Sequence, residues 1–418
     1  MDSCKHLIIG AGPAALAAAQ AIRTCDKAAG ITLVTREETL PYSPAVLPYL
    51  LNEELTEKEL FAKGRDLLAA LKINLICCKE VAAVLHETKE VKFTSGQCQA
   101  YDKLLIATGA APQIPAIENL EPDQIYTFRT FSDFEKLHRT LTDKQTVAIY
   151  GAGLVAVEAA EKLCMAGHRV TIIARSSLLR KYFSPKNVAV LEQAFSRHGG
   201  RIRTNNTLAS VRKVEDKLEL MLSNNEKLVV DRLLVATGVT PNLIDNDLIP
   251  VIEGGLKVGR HMETNLPDIY AAGDVAAAPS FYDGRNAPCP ILPEAVLQGK
   301  IAGANMAGKV VEYSGWIPGN YLRCFDESLF SVGLTGIQSG SRYKTLEKQA
   351  GGSSLKLIFT DDCLVGVEAL NMKLIHPGVF LNLIRKKIPV TEYQELLLAK
   401  PRETACWLML KQGKTQAV

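Results

Sequence analysis

An α/β fold built on an internal duplication is predicted for this chain of 418 residues. Two glycine-rich fingerprints, GAGPAALAAA from Gly10 and GAGLVAVEAA from Gly151, each follow an apolar strand and open an alanine-rich helix. The first glycine of such a turn permits a tight bend, and the second lets the backbone approach a pyrophosphate at the helix N-terminus. The pair therefore predicts two Rossmann-like domains, each of which binds one nucleotide.

Composition and charge exclude several classes of protein. The formal net charge is +3, without runs of basic residues interleaved with aromatic ones, so nucleic acid is not an expected partner. The longest apolar run, residues 7–19, is too short to span a bilayer and contains the first fingerprint. We therefore expect no membrane span and a cytoplasmic location.

The ten cysteines lack CxxC spacing, so we expect no metal site and no iron-sulfur cluster in this chain. Cys77 and Cys78 are predicted to lie on opposite faces of one strand, which disfavours a disulfide between them.

The first βαβ unit is predicted to comprise a strand over residues 5–10, a helix to Cys25 and a strand over residues 31–34. An acidic residue after the second strand is expected to accept hydrogen bonds from ribose hydroxyls. Glu37 is the candidate, Glu38 is its alternative, and a solvated loop acid is the remaining interpretation.

Each fingerprint is followed by short alternating segments typical of a β-meander. The first set returns through LLIATGAAP, where Thr108 and Gly109 let the backbone approach a bound dinucleotide. The second set runs from RVTIIA to LLVATGVTPN, and a further strand end carries Gly273 and Asp274 before a helix near residues 292–306. This repetition predicts two similar domains.

Five ordered motifs, GAGPAA, LLIATGAAP, GAGLVAVE, LLVATGVTPN and IYAAGDVA, resemble those of the pyridine nucleotide-disulfide oxidoreductase class of flavoproteins. The resemblance covers residues 1–312 and implies FAD in the first domain, NAD(H) or NADP(H) in the second, and hydride transfer between them. The implied domains are 1–114 and 245–312 for FAD, 115–244 for NAD(P), and 313–418 for a small C-terminal α+β interface domain.

The same resemblance implies the cofactor-binding residues. Those expected at FAD are Gly10, Gly12, Pro13, Ala14, Ala15, Glu37, Val81, Thr108, Gly109, Arg129, Gly273, Asp274 and Leu292. Those expected at NAD(P) are Gly151, Gly153, Leu154, Val155, Arg175 and Gly238. Asp274 would accept hydrogen bonds from the ribityl chain, the helix at Leu292 would face the flavin carbonyls, and Arg129 resembles a flavin-contacting arginine of ferredoxin reductases.

The segment REETLPYSPAVLPYLL resembles the flavin-facing loop of ferredoxin reductases and of nitrite reductase flavoproteins. Alignment on its second LPY places Ala45 where disulfide and peroxide reductases have a cysteine, which excludes their thiol chemistry. The basic residues of ferredoxin reductases are replaced here by Pro44 and Tyr49. His376-Pro377 resembles a catalytic pair of dithiol reductases, but without a dithiol we interpret it as a helix start.

Glu158, early in the second fingerprint helix, is similar to an acid that positions the nicotinamide carboxamide, and an exposed helical glutamate is its alternative. After the next strand the chain has Ala174 and Arg175 instead of an acid. Arginine and serine can bind a 2′-phosphate, whereas an acid would repel it. A solvated basic turn is equally compatible, so the nucleotide stays NAD(H) or NADP(H).

The predicted function is that of an FAD-dependent NAD(P)H oxidoreductase acting as an electron-transfer flavoprotein subunit. It would exchange hydride with NAD(P)(H) and single electrons with an iron-sulfur partner. The chain resembles NAD-linked flavoprotein subunits of tungsten aldehyde oxidoreductase and 2-oxoacid dehydrogenase complexes. Alternatives are a stand-alone NAD(P)H oxidase or ferredoxin reductase, and a flavin-bearing signalling protein similar to apoptosis-inducing factors.

The C-terminal domain is the expected interface, either for the iron-sulfur partner or for a homodimer. A helix over residues 379–387 carries Arg385, Lys386 and Lys387 beside an apolar strip, Phe380, Leu383 and Ile384. The strip either docks a partner or faces the core of its own domain.

Overall fold

The computed structural model describes residues 4–245, 248–337, 340, 342–372 and 376–415. It divides into two compact units. The first unit comprises Met1–Pro112, Arg129–Phe131 and Val239–Trp316, and the second comprises Gln113–Phe128, Ser132–Gly238 and Ile317–Val418. The four predicted domain segments are a finer division, which stays a prediction.

The first unit is built around a mainly parallel sheet. Its strands are β1 Cys4–Ile9, β2 Ile31–Val34, β3 Asn74–Ile76, β4 Val81–Leu85, β5 Glu90–Phe93, β6 Cys98–Ile106, β7 Ala110–Pro112, β16 Val239–Pro241, β17 Val251–Ile252, β18 Gly255–Lys257, β19 Ile269–Ala271, β20 Ala276–Pro279 and β21 Asn286–Pro288. Its helices are α1 Pro13–Cys25, α2 Glu57–Ala70 and α6 Leu292–Met306. The order β3-β2-β1-β6, with β19 also beside β6, is parallel, and β4 and β5 add antiparallel strands.

Helices α1 and α6 pack closely because both present small residues. A Cβ on Gly299 would lie 2.2 Å from the carbonyl oxygen of Ala14, and one on Gly303 would lie 2.3 Å from that of Ala18. Such distances exclude any side chain at the two glycines, so the backbones of the helices nearly touch. The fingerprint helix is thereby fixed by a helix that begins about 280 residues later in the chain.

The second unit repeats the βαβ plan and adds a C-terminal sheet. Its strands are β8 Ile125–Tyr126, β9 Thr146–Tyr150, β10 Arg169–Ile173, β11 Arg201–Arg203, β12 Leu208–Val214, β13 Lys217–Leu222, β14 Lys227–Val230, β15 Arg232–Val235, β22 Gly319–Cys324, β23 Glu327–Gly333, β24 Lys344–Ala350, β25 Ser353–Thr360 and β26 Cys363–Leu370. Its helices are α4 Leu154–Met165, α5 Pro185–Arg197, α7 Pro377–Arg385, α8 Gln394–Ala399 and α9 Pro401–Thr415; α3, Phe131–His138, begins where the chain enters this unit.

Three sheets organise these strands. The order β11-β10-β9-β15-β8 is parallel, β12-β13-β14 is the second meander, and β22-β23-β26-β25-β24 is the antiparallel C-terminal sheet. The predicted α/β class with two Rossmann-type sheets is confirmed.

One local prediction was wrong, and one predicted helix limit is shifted by two residues. Strand β3 ends at Ile76, and Cys78 has a positive φ of 56°, so Cys77 and Cys78 lie in a turn and do not alternate across a strand. Helix α7 ends at Arg385, and Lys387 has a φ of 48°, which ends the helix two residues before the predicted limit.

The apolar strip of α7 faces the core, because Phe380, Leu383 and Ile384 are all buried. This settles the alternative in favour of an amphipathic helix packed within its own domain and leaves Lys386 and Lys387 exposed. In the part of the chain that the structure describes, helices long and apolar enough to cross a membrane are absent.

Candidate functional site

The first glycine of each fingerprint is required by the protein's own backbone. A Cβ on Gly10 would lie 2.2 Å from the carbonyl oxygen of Ala107, and one on Gly151 would lie 2.1 Å from that of Ala236. Each oxygen belongs to the residue just after the neighbouring strand, β6 or β15. The tight turn therefore brings each fingerprint against the ATG segment of the same repeat.

The second glycine of each fingerprint has a different environment. A Cβ on Gly12 or Gly153 would meet no protein atom within 4 Å. These glycines are the N-caps of α1 and α4, and neither helix has a capping side chain or an acidic residue in its first turn. Helix α2, by contrast, begins with a complete capping box.

The uncapped N–H groups of α1 and α4 and the room beside Gly12 and Gly153 fit a dinucleotide diphosphate at each turn. Around the same turns, Pro13, Ala14 and Ala15 form the first turn of α1. Leu154 and Val155 form that of α4, where Val155 is exposed.

The acid expected after the second strand is held by a specific contact. The Tyr42 hydroxyl donates to Oε2 of Glu37 at 2.7 Å and accepts from the N–H of Phe131 at 2.7 Å. Glu37 is half-buried, whereas Glu38 is exposed, so the structure favours Glu37 as the ribose-binding acid. Tyr42 was missed from the sequence because its partner Phe131 is 89 residues away.

Several expected flavin residues converge at one place in the first unit. Nη2 of Arg129 lies 2.7 Å from Oδ2 of Asp274, and its Nε donates to the carbonyl of Ala110 at 3.1 Å. A Cβ on Gly109 would lie 3.4 Å from the Arg129 guanidinium, and one on Gly273 would lie 3.1 Å from Cβ of Ala14. The structure thus joins the fingerprint helix, the ATG segment and the Asp274 strand end.

The side chain of Thr108 is engaged by Asn242, so a contribution of Thr108 to a dinucleotide site would come from its backbone. The Thr108 hydroxyl donates to the carbonyl of Asn242 at 2.6 Å, and Nδ2 of Asn242 donates back to the Thr108 carbonyl at 3.0 Å. In the second repeat the Thr237 hydroxyl donates to the carbonyl of Gln113, whose N–H bonds the Gly238 carbonyl at 2.9 Å. Asn242, within the TGVTPN motif, was not singled out from the sequence.

A buried polar network lies under the N-terminus of α6. Oε1 of Gln298 accepts from the N–H of Gly273 at 2.9 Å, and Nε2 of Gln298 lies 3.4 Å from the Tyr313 hydroxyl. That hydroxyl donates to the carboxylate of Glu294, which is itself buried. The network fixes the Gly273-Asp274 turn against α6, whose first residue, Leu292, is exposed.

Two thiols near the predicted flavin site, Cys289 and Cys77, have raised pKa values. Burial, together with the charges of Glu294 and Asp274, raises the pKa of Cys289 to about 12. Burial also raises the pKa of Cys77. Ala45 lies in the short helix Pro44–Leu50, where a redox cysteine stands in the resembling thiol enzymes. A thiolate nucleophile at neutral pH is therefore excluded for these cysteines.

Glu158 lies on α4 in a partly buried position. Burial and the neighbouring Glu161 raise its pKa to about 7, although Lys162 opposes the shift. Glu161 accepts a hydrogen bond from the N–H of Phe325 at 2.9 Å and lies 3.1 Å from Nζ of Lys162. Glu158 is therefore no ordinary exposed helical glutamate, since it changes protonation near neutral pH.

The remaining predicted residues occupy ordinary positions. Val81 begins β4 and is half-buried. His376 is the N-cap of α7, with Pro377 as its first residue, which matches the expected helix start. In the portion of the chain that is described, groups of three or more His, Cys, Asp or Glu side chains suited to a metal ion are absent.

Known proteins resemble this chain over most of its length. Residues 4–307 match the model of a family described as pyridine nucleotide-disulphide oxidoreductase. The epsilon subunit of NADH-dependent phenylglyoxylate dehydrogenase from Aromatoleum evansii is 34% identical over 407 residues, which are 96% of each chain. Among solved structures, the covalent putidaredoxin reductase-putidaredoxin complex contains a chain that superposes with a TM-score of 0.85 at 23% identity, covering 97% of this chain and 99% of that one.

A second solved structure is an engineered water-forming NADPH oxidase bound to NADPH. It superposes with a TM-score of 0.85 at 22% identity and covers 99% of each chain. That oxidase carries five substitutions: glycine to alanine, aspartate to alanine, alanine to arginine, methionine to serine and proline to arginine.

Proposed function

Because the chain belongs to the pyridine nucleotide-disulphide oxidoreductase family, it is an FAD-dependent NAD(P)H oxidoreductase, and we propose that it acts as the electron-transfer flavoprotein subunit of a larger redox complex. Its proposed electron partner is an iron-sulfur protein or subunit. A cytoplasmic location belongs to the same proposal.

The residues near the flavin site carry this proposal. The position of the redox cysteine is Ala45, and Cys289, beside Asp274 and Glu294, has a pKa raised to about 12. Neither of these two positions therefore supplies a thiolate that could pass electrons to a disulfide, a polysulfide or a peroxide. Bound FAD, which exchanges two electrons with a nicotinamide and single electrons with a one-electron carrier, then supplies the redox chemistry itself.

The relatives support a role with a protein partner. The phenylglyoxylate dehydrogenase relative is named as a subunit and matches this chain over 96% of both lengths. The putidaredoxin reductase-putidaredoxin structure, one of the two that superpose with a TM-score of 0.85, is a reductase joined to its protein partner. Both are reasons to expect that this chain passes electrons to, or receives them from, another protein.

The residues of this chain would bind and orient the two dinucleotides. In the first unit, the N-terminus of α1 would bind the FAD diphosphate, Glu37 the adenosine ribose, and Asp274 the ribityl hydroxyls. In the second unit, the N-terminus of α4 would bind the nicotinamide diphosphate, and Glu158 would hold the carboxamide in position for hydride transfer.

A substitution pattern supports NADP(H) among the two possible nucleotides. The engineered oxidase that binds NADPH gained alanine, alanine, arginine, serine and arginine at successive spacings of 18, 1, 1 and 5 residues. This chain has Ala156, Ala174, Arg175, Ser176 and Lys181 at the same spacings. Four residue types are identical and the fifth is also basic.

The test of the subunit proposal begins with the purified chain, loaded with FAD. We expect rapid reduction of ferricyanide or a viologen by a nicotinamide nucleotide, and slow reduction of oxygen. Rapid oxygen consumption without dye would contradict the proposal in favour of a stand-alone oxidase. Slow flavin reduction by both nucleotides would instead favour the signalling protein.

The partner is tested by purification of the untagged native complex, with iron and tungsten analysis. We expect a stoichiometric iron-containing partner subunit. A metal-free homodimer with full activity would contradict the proposal.

The docking surface is tested in the reconstituted complex by charge reversal of the exposed Lys386 and Lys387. This change should slow electron transfer to the partner at low salt without changing dye reduction. Lys213→Glu, an exposed control on β12, should change neither rate.

A further inference from the structure

The loop that follows β10 is basic and contains no acidic residue. Residues 174–183 read ARSSLLRKYF, with Arg175, Arg180 and Lys181 as the charged side chains. All three are exposed. Within the described part of the chain they make no ion pair or hydrogen bond through their side chains. Their charges are therefore not neutralised by the protein and can bind an anion.

This loop is fixed to the second fingerprint. The N–H of Leu179 donates to the carbonyl of Ala152, inside the GAG turn, at 2.8 Å. The N–H of Gly151 donates to the carbonyl of Ile173, the last residue of β10, at 3.0 Å. The cations consequently border the same turn as the uncapped N-terminus of α4, where the nucleotide diphosphate would lie.

The strand end itself lacks the group that would favour NAD(H). In NAD-binding domains of this type an acid near this position accepts hydrogen bonds from the ribose 2′-hydroxyl, and the same acid repels a 2′-phosphate. Here the position is Ala174, which is fully buried. Its N–H and carbonyl are bonded to Arg203 and Asn206, at 2.8 and 3.1 Å. The backbone is thus held while Arg175, the next residue, extends into solvent.

These observations and the five-position correspondence with the NADPH-bound oxidase point to the same nucleotide. We propose that the second site selects NADP(H) over NAD(H), with Arg175, Ser176 and Lys181 binding the 2′-phosphate. This inference rests on the proposed function, because it assumes that the second fingerprint binds the nicotinamide nucleotide. It also separates this chain from its phenylglyoxylate dehydrogenase relative, which is named as NADH-dependent.

The first experiment compares the two nucleotides on the FAD-loaded chain with ferricyanide as acceptor. We expect kcat/KM for NADPH to exceed that for NADH by about tenfold to a hundredfold, the range expected for a charge-assisted hydrogen bond. In a binding assay independent of turnover, 2′,5′-ADP should bind more tightly than 5′-AMP by a similar factor.

The second experiment uses a matched pair of arginine substitutions. Arg175→Ser should lower kcat/KM for NADPH far more than kcat/KM for NADH, and should so remove most of the preference for NADPH and for 2′,5′-ADP. Arg169→Ser places the same change at the opposite, exposed end of the same strand and should leave both ratios unchanged. Lys181→Ala should lower the preference as Arg175→Ser does. FAD content verifies that each variant is folded.

The outcomes separate this inference from the proposed function. Rapid dye reduction with a preference for NADH, or equal use of both nucleotides, would overturn the NADP(H) inference and leave the oxidoreductase standing. An unchanged NADPH preference in Arg175→Ser would overturn the assignment of the 2′-phosphate site. Failure to reduce dye with either nucleotide would overturn the proposed function itself.

Discussion

The Glu158→Gln variant should gain stability relative to the wild-type protein as the pH rises. Burial and Glu161 raise the pKa of this carboxyl from 4.5 to about 7. At about 1.36 kcal/mol per unit, that shift corresponds to a free energy on the order of 3 kcal/mol. The folded protein therefore retains a proton that the unfolded chain releases above pH 4.5.

The sign follows from proton linkage. Between pH 4.5 and about 7 the folded state binds more protons than the unfolded state, so the contribution of Glu158 to stability falls as the pH rises. Above about pH 7 both states are ionised at this position and the loss is complete. Glutamine does not titrate, so the Glu158→Gln variant escapes this loss.

The assay is thermal or denaturant unfolding of the FAD-loaded protein at several values between about pH 5 and 8. The free-energy difference between variant and wild type should increase by about 2 to 3 kcal/mol across this range in favour of the variant. Glu215→Gln, the same substitution at an exposed turn residue of the same unit, is the control. A constant difference for Glu158→Gln would refute the reasoning.

Four other substitutions test the first dinucleotide site. Gly10→Ala should prevent folding of the first unit, because its Cβ would overlap the backbone, whereas Gly12→Ala should give a folded protein that binds FAD weakly. Circular dichroism and flavin content distinguish the two variants. Equal behaviour of the two would contradict the different roles assigned to the two glycines. Asp274→Ala should weaken FAD binding by about 1 to 3 kcal/mol in equilibrium dialysis, and unchanged affinity would remove its ribityl role. Tyr42→Phe removes the hydrogen bond to Glu37 and should raise the FAD dissociation constant by about fivefold to tenfold. The absorption spectrum of the bound flavin should not change. An unchanged dissociation constant would mean that Tyr42 does not position Glu37.

Local sequence patterns were sufficient to predict the helices and strands of both βαβ repeats. Strand β2 has its predicted limits and helix α1 ends at its predicted residue, because apolar strands, glycine turns and alanine-rich helices are signals carried within a few residues. The strip on α7 could not be assigned to the core or to an interface from the sequence, because amphipathicity indicates only that one face is covered.

The supporting contacts of the site could not be predicted in the same way. The Tyr42-Phe131 hydrogen bond and the pairing of Arg129 with Asp274 join residues separated by 89 and 145 positions. Gln298 on α6 and Tyr313 in the segment that follows it are 15 positions apart. Periodicity carries no information about such pairs, which depend on how distant segments fold together. Resemblance identified Arg129 and Asp274 separately, and the structure showed that they touch.

The contact between α1 and α6 also determines when the first unit can form during synthesis. Strand β19 and helix α6 lie near residues 270 and 300, so the sheet and the helix that support the first fingerprint are complete only about 300 residues after β1 has been made. The parallel sheet of the second unit needs only residues 125–235 and can be assembled earlier. The first fingerprint then stays an exposed, alanine-rich segment until α6, about 280 residues further along the chain, has been made.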